Sequence, residues 1–463
     1  MATGVSIPRL ATASVVLVLA ACGGGGGGSI APASYTVGGT LTGLAANETL
    51  TLSDNGADSL TLSASGAFTF AKSLAQGSSY SVTMTTPPAG QSCVVTGGTG
   101  SGISANVTAI QVTCSDAPQY AYVVNNGDKT VGQYSVTASG ALTALSPSTI
   151  ATGNDPRSLT VDPSHHYVYV TNLNDNTVSQ YVIQADGTLA PNTPATVATG
   201  QGPWVLEFDP LGKFAYVANS LDNTISQYSV DASGVLEALA ATPVATGAGP
   251  WNITLTPGGK YAYVSNSGGA LNDTVDGTTL SQYAIAPDTG ALSPLNPATV
   301  TTAGFPAGAA VDTTSSYAYV TSLDGNNVMQ YSIGSSGALT PLSPASVNAG
   351  SEPDYILIHP TNKYAYVANY SGPYFSVPTP GSISQYNIGA TGQLTPMTVA
   401  SVAAGAGSGW LAIDTFGQFL YCVNSVGGTV SEYSIGADGS LTLLGNVAVG
   451  NSPFEMKVTY VGQ

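Results

Sequence analysis

"KFAYVANSLDNTISQYSVDASGVLEAL", Lys213 to Leu239, reads as three short strands separated by two polar turns. Aromatic and β-branched residues fill "FAYVAN" and "TISQYSV", while Asn, Asp, Ser and Gly fill the joints between them. The phrase recurs along the chain. The second tyrosine of "YAYV" or its variants falls at Tyr122, Tyr169, Tyr216, Tyr263, Tyr319, Tyr366 and Tyr421, at spacings of 47, 47, 47, 56, 47 and 55. Each copy also contains a strand such as "WVLEFDP", Trp204 to Pro210, which raises the count to four strands per unit. Four strands in each of seven units predict a seven-bladed β-propeller.

Composition agrees with an all-β chain. The 463 residues include 56 Gly and 28 Pro, and helix-period runs of Ala, Glu, Lys and Leu are absent. The regular tyrosines belong to packed blade faces. The chain enters the repeats at "YAYVVN" and leaves through "SPFEMKVTYVG", a strand of the innermost type. The last strand is therefore expected to complete the first blade and leave no free edge.

The 25 Asp and Glu outweigh 8 Lys and Arg, for a net charge of −17. That balance argues against nucleic acid as a partner.

Before the repeats, Tyr35 to about Ala117 alternates apolar and polar residues between Gly, Asn and Asp turns, which predicts a small β-sandwich over residues 35–117 and a propeller over 118–463. Cys93 and Cys114 lie on alternating strands of that module. In an exported chain they are expected to form a disulfide. Cys422 stands where sister repeats carry Val and is expected to be a buried, inert thiol.

The N-terminal "MATGVSIPRLATASVVLVLAAC" has one cation, Arg9, and an apolar run too short for a transmembrane helix. Its Leu19-Ala20-Ala21-Cys22 resembles the bacterial lipobox. That resemblance implies a signal peptide over 1–21, lipidation of Cys22, and a membrane partner held through that anchor on a cell envelope, with the outer membrane expected because Gly23 follows the cysteine. Gly23 to Gly28 and "SIAPAS" then form a tether over 22–34, with a reach of roughly 20 Å. The module at 35–117 is similar to the immunoglobulin-like domains of bacterial surface lipoproteins.

"VYVTN" at Val168 to Asn172 and "AYVAN" at Ala215 to Asn219 and Ala365 to Asn369 resemble the YVTN-type, 6-phosphogluconolactonase-like propellers. The resemblance implies the fold over residues 120–463 and raises lactone hydrolysis as an activity. In that family the innermost strand often starts Pro-Arg-His, where this chain has Pro156-Arg157-Ser158.

The segments leading into the innermost strands are "PFEM", "PRSL", "PWVL", "PWNI", "PAGA", "PDYI" and "SGWL". They ring one mouth of the channel, on the face that also carries two long insertions near Asn272 and Tyr374. Trp204, Trp251, Trp410, Tyr355, Asp354 and Asn252 are the candidate ligand-binding residues there. The tryptophans either stack on a sugar, lactone or other small molecule or fill a wide channel. Arg157, with Glu207 or Glu455 as base, is the candidate catalytic set for opening a lactone; the other reading of Arg157 is a packing ion pair. Binding of a small molecule, glycan or protein partner at the mouth is the leading expectation and lactone hydrolysis the alternative. The acidic turns lack a spaced calcium series and the three histidines lack ligand partners, so neither a metal nor a cofactor is expected.

Overall fold

A computed structural model describes residues 33–45, 48–88, 90–239, 243–268, 276–371 and 379–461. Cys22, most of the tether, and the insertion residues Asn272 and Tyr374 lie outside the described residues. Two compact units divide the chain, the first comprising the residues up to Pro87 together with Cys93–Cys114, the second Pro88–Ser92 and Ser115–Gln463.

The first unit holds two four-stranded sheets around one apolar core. One sheet runs Gly66–Thr69, Val37–Thr42, Val107–Asp116, Gln91–Thr96; the other runs Asp58–Leu62, Leu50–Asp54, Tyr80–Thr86, Thr99–Gly100. Alternation decides which side chains face inward. In Val107–Asp116, Ile110, Val112 and Cys114 are buried while Gln111 and Thr113 are exposed. Cys93 and Cys114 are joined by a disulfide within this core.

The second unit is a ring of seven antiparallel blades. Each innermost strand is followed by its second, third and outermost partners, as in Pro156–Val161, Tyr167–Asn172, Thr177–Ile183 and Leu189–Ala198. In the third blade the outermost position is shared by Leu236–Ala238 and Val244–Ala245. The first blade is completed by Pro453–Tyr460, which pairs antiparallel with Gln119–Asn125 as its innermost strand.

Repeated side chains explain why the blades stay together. The second-strand tyrosines are fully buried, and each hydroxyl donates to a glycine carbonyl in the next blade's outer hairpin: Tyr122 to Gly187, Tyr169 to Gly234, Tyr216 to Gly290, and so on round to Tyr421 and Gly140. The third-strand glutamines add a parallel tie, Gln133 Oε1 accepting from Leu189 N–H at 2.6 Å and Gln180 Oε1 from Leu236 N–H at 2.9 Å. In the seventh blade Glu432 takes that place and accepts from Leu142 N–H at 2.8 Å. The asparagine ending "YVTN" works within a blade: Asn172 Oδ1 accepts from Gly153 N–H, and its amide donates to Thr177 and Ser179. It ties the end of the second strand to the loop leading into the innermost one.

Candidate functional site at the channel

Every innermost strand is preceded by a residue in left-handed backbone: Ser452, Asp155, Gly202, Gly249, Phe305, Glu352 and Gly407, with φ between 39° and 73°. A β-bulge then interrupts the pairing of each innermost strand with its second strand near its start. Bulges re-aim side chains. Here they gather the second residues of adjacent strands at the channel rim, while residues three and five line the channel wall.

The rim is filled by aromatic groups. Trp204 and Trp251 lie 4.0 Å apart by ring centroid, with Phe454 5.8 Å from Trp204 and Phe305 5.4 Å from Trp251. Arg157 sits over this cluster, its guanidinium carbon 4.7 Å from the Trp204 ring and 5.2 Å from Phe454. Its charge is held by Asp155 at 2.9 Å. Glu455 is instead paired with Lys457. Trp204 and Trp251 are 5% and 7% exposed, so these indoles pack on one another and fill the rim. Asp354 also stands at the rim, where its carbonyl accepts from Thr321 Oγ1 at 2.9 Å.

Deeper in, a cavity of about 260 Å³ is walled by Glu207, Asn252, Tyr355, Trp410, Glu455 and Lys457 among other residues. Tyr355 stacks on Trp410 with centroids 3.9 Å apart and planes 27° from parallel. Lys457 Nζ is 2.9 Å from Glu455 Oε1 and 5.3 Å from the Trp410 ring. Glu455 Oε2 also accepts from Leu159 N–H at 3.2 Å. Two buried polar atoms of this wall, Trp410 Nε1 and Asn252 Oδ1, have no hydrogen-bond partner. Such atoms are costly in a folded interior and mark a place for a ligand or water.

Electrostatics single out four groups. Burial raises the Glu207 carboxyl to about 7, with Lys457 opposing the shift and Glu455 adding to it. Burial raises Glu455 as well, against the pull of Lys457. Burial works against the Lys457 ammonium, but Glu455, Tyr355 and Glu207 outweigh it, so Lys457 is held well above its ordinary value and is cationic. Tyr355 is pushed up to about 12 by burial and stays a neutral phenol. The cavity thus combines a carboxyl poised at neutrality, a fixed cation and an unengaged N–H donor.

Of the residues singled out in the sequence, the structure brings Glu207, Glu455, Asn252, Tyr355 and Trp410 together in the cavity, and leaves Arg157, Trp204, Trp251 and Asp354 at the rim. Lys457 was not singled out. Its signal is the spacing Glu455-Met456-Lys457, since residues two apart on a strand share a face. The histidines are engaged elsewhere: His165 Nδ1 bonds Thr459 Oγ1 at 2.8 Å, and His359 Nε2 bonds the Gly417 carbonyl at 2.9 Å. Cys422 is buried, and burial pushes its thiol far up. Among the described residues, no cluster of three His, Cys, Asp or Glu side chains is arranged to hold a metal ion.

A family model described as lactonase, seven-bladed β-propeller, matches residues 90–192, 160–343, 269–394 and 372–463, which together span the whole ring. The chain belongs to this lactonase propeller family. Solved structures share the fold at low identity. A candidate 6-phosphogluconolactonase from Bacteroides fragilis is 18% identical with a TM-score of 0.63, covering 74% of this chain and 98% of its own. The periplasmic gluconolactonase of Pseudomonas aeruginosa is also 18% identical, with a TM-score of 0.61 over 74% and 100%. A protein of unknown function from Desulfotomaculum acetoxidans is 15% identical, with a TM-score of 0.57 over 74% and 99%. No curated protein matches the sequence. The lactonase propeller architecture therefore hosts proteins described in different ways, and activity has to be argued from the channel itself.

Proposed function

We propose that this lactonase propeller hydrolyses a small lactone within its channel. The observation that carries the reading is the near-neutral carboxyl of Glu207 in the same cavity as the Lys457 ammonium. A base with a pKa near the working pH is suited to general catalysis, and a fixed cation is suited to a developing oxyanion. Water oxygen adds to the lactone carbonyl carbon as Glu207 takes a water proton. The carbonyl electron pair moves onto oxygen, opposite Lys457 Nζ and the Trp410 N–H. Collapse breaks the ring C–O bond, and the proton on Glu207 passes to the leaving oxygen to give the hydroxy acid. Glu455 positions Lys457, and Tyr355 stacked on Trp410 orients the indole.

Panels of sugar and acyl lactones test this. Turnover above the buffer rate is expected, falling by roughly 10²–10⁴ in Glu207→Gln, with the fold intact by circular dichroism. A Glu207→Gln protein as active as the parent would overturn the assignment. The second reading, capture of a small ligand without turnover, is favoured by the unpartnered Trp410 Nε1 and Asn252 Oδ1, which need a ligand but no chemistry. Saturable quenching of tryptophan fluorescence with no turnover would support it.

The reading extends to location. The Cys93–Cys114 disulfide fits an oxidising compartment, which supports export; the lipobox-like Leu19-Ala20-Ala21-Cys22 adds a lipid anchor at Cys22 on the cell envelope. Membrane fractionation of a Cys22→Ser chain tests this; the variant is expected in the soluble fraction, and one that stays with the membrane argues against the anchor.

A further inference from the structure

We infer that ligand reaches Glu207 and Lys457 through the mouth at the far ends of the innermost strands, and that Thr313 on the lip of that mouth limits the size of what enters. This rests on the cavity being the working site, as proposed above.

The aromatic end of the channel is stopped. Trp204 and Trp251 close on one another between Phe454 and Phe305, with Arg157 laid over them. Across the rim Ala307 is fully buried, and Asp354 lies so near the next blade that a Cβ on Gly409 would stand 3.0 Å from its carboxylate. Among the described residues, none on the cavity wall precedes the third position of its innermost strand. Trp204 and Trp251 therefore form no part of the wall.

The other end is open. Leu255, Val311 and Ile358 continue the wall to the ends of their strands, and Thr313 carries it into the turn beyond. Exposure rises in the same direction: Asn252 and Glu455, at third positions, are buried, Thr254 and Lys457, at fifth positions, are partly exposed, and Thr313 is exposed. The Lys457 side chain, 27% exposed, thus keeps its ammonium in touch with water from that side.

Thr313 also differs from its sisters. Four equivalent turns carry proline there, Pro163, Pro210, Pro257 and Pro360, and none of these reaches the cavity wall. The Thr313 N–H, which a proline would lack, donates to Asn362 Oδ1 at 3.3 Å, and Asn362 Nδ2 donates to Asp312 Oδ2 at 3.1 Å. The lip is thereby tied to the neighbouring blade, and a preformed opening of fixed width sorts ligands by bulk.

The test is quenching of tryptophan fluorescence by acrylamide, a small neutral probe, in the whole chain with its rim unchanged. Of the three tryptophans only Trp410 borders the cavity, so its component is the one absent from Trp410→Phe. That component is expected in the parent, largely lost in Thr313→Phe and kept in Thr313→Ser, with circular dichroism unchanged in both. The lactone panel adds the size readout: Thr313→Phe should lower kcat/KM most for the bulkiest lactone, and Thr313→Ala should raise it. Quenching of Trp410 that is absent from the parent or persists in Thr313→Phe, or a kcat/KM loss equal for all lactones, overturns the inference while turnover leaves hydrolysis standing. Quenching sensitive to Thr313→Phe with no turnover of any lactone keeps the entrance and removes the hydrolytic reading.

Discussion

The Tyr421 hydroxyl donates to the Gly140 carbonyl at 2.8 Å, joining the seventh blade to the first across 281 residues of chain. Removing it leaves a buried carbonyl without its donor, so Tyr421→Phe is expected to cost about 1–2 kcal/mol. Because Tyr216 makes the same bond to Gly290, Tyr216→Phe should cost a similar amount. Urea unfolding of both variants checks this. A cost confined to Tyr421 would show that closure, and not blade-to-blade contact in general, depends on the hydroxyl.

Glu432 is the seventh member of a set otherwise made of glutamines. Its carboxylate is the acceptor for the buried Leu142 N–H. Glu432→Ala should destabilise the protein by about 1–3 kcal/mol, the desolvation cost of an orphaned buried donor. Denaturant midpoints against the parent give the number.

Ser452 precedes the closing strand with φ 48° and is exposed. Its sister positions Gly202, Gly249 and Gly407 are glycine, which adopts this backbone without a Cβ penalty. Ser452→Gly is therefore expected to stabilise the protein by about 0.5–1 kcal/mol, the balance of relieved strain against added unfolded-state entropy. A fall in the melting temperature would contradict it.

Glu207 imposes a pH dependence whose sign follows from its raised pKa. Between the ordinary carboxylate range and about 7, the folded protein holds a proton that the unfolded chain has released. The stability contributed by that proton is present at low pH and is lost as pH rises through about 7. Unfolding free energies from pH 5 to 8 should fall more steeply in the parent than in Glu207→Gln. Activity should run the other way, rising towards higher pH as the base loses its proton.

The Cys93–Cys114 bond closes a sequence separation of 21 residues. Chain-entropy arguments give such a loop about 3 kcal/mol of stabilisation. Reduction by dithiothreitol, or the Cys93→Ala/Cys114→Ala double variant, should lower the unfolding free energy of the first unit by that order, read from denaturant titration.

The ring was legible in the sequence because its cause is periodic. The "YAYV" tyrosines, the "QY" glutamines and the asparagine of "YVTN" repeat because each holds the next blade or the next loop in place. The aromatic rim was legible as a set of columns, but its state was not. Whether Trp204 and Trp251 face a ligand or each other depends on the bulges, and a bulge leaves no mark in an alternating pattern. Arg157 shows the same limit. Its partner, Asp155, lies two residues upstream in left-handed backbone, a contact that strand alternation alone does not reveal. Lys457 is not legible as a site residue because its neighbours in space, Glu207, Tyr355 and Trp410, belong to three other blades, and only closure of the ring brings them within reach.

The closing strand has a further consequence. Pro453–Tyr460 is made after every other strand, yet it fills the innermost place of the first blade and carries both Glu455 and Lys457. A chain released early would lack the clasp and the charged pair together. Chains cut before this strand would therefore leave the first blade without its innermost strand and the channel without its paired charges.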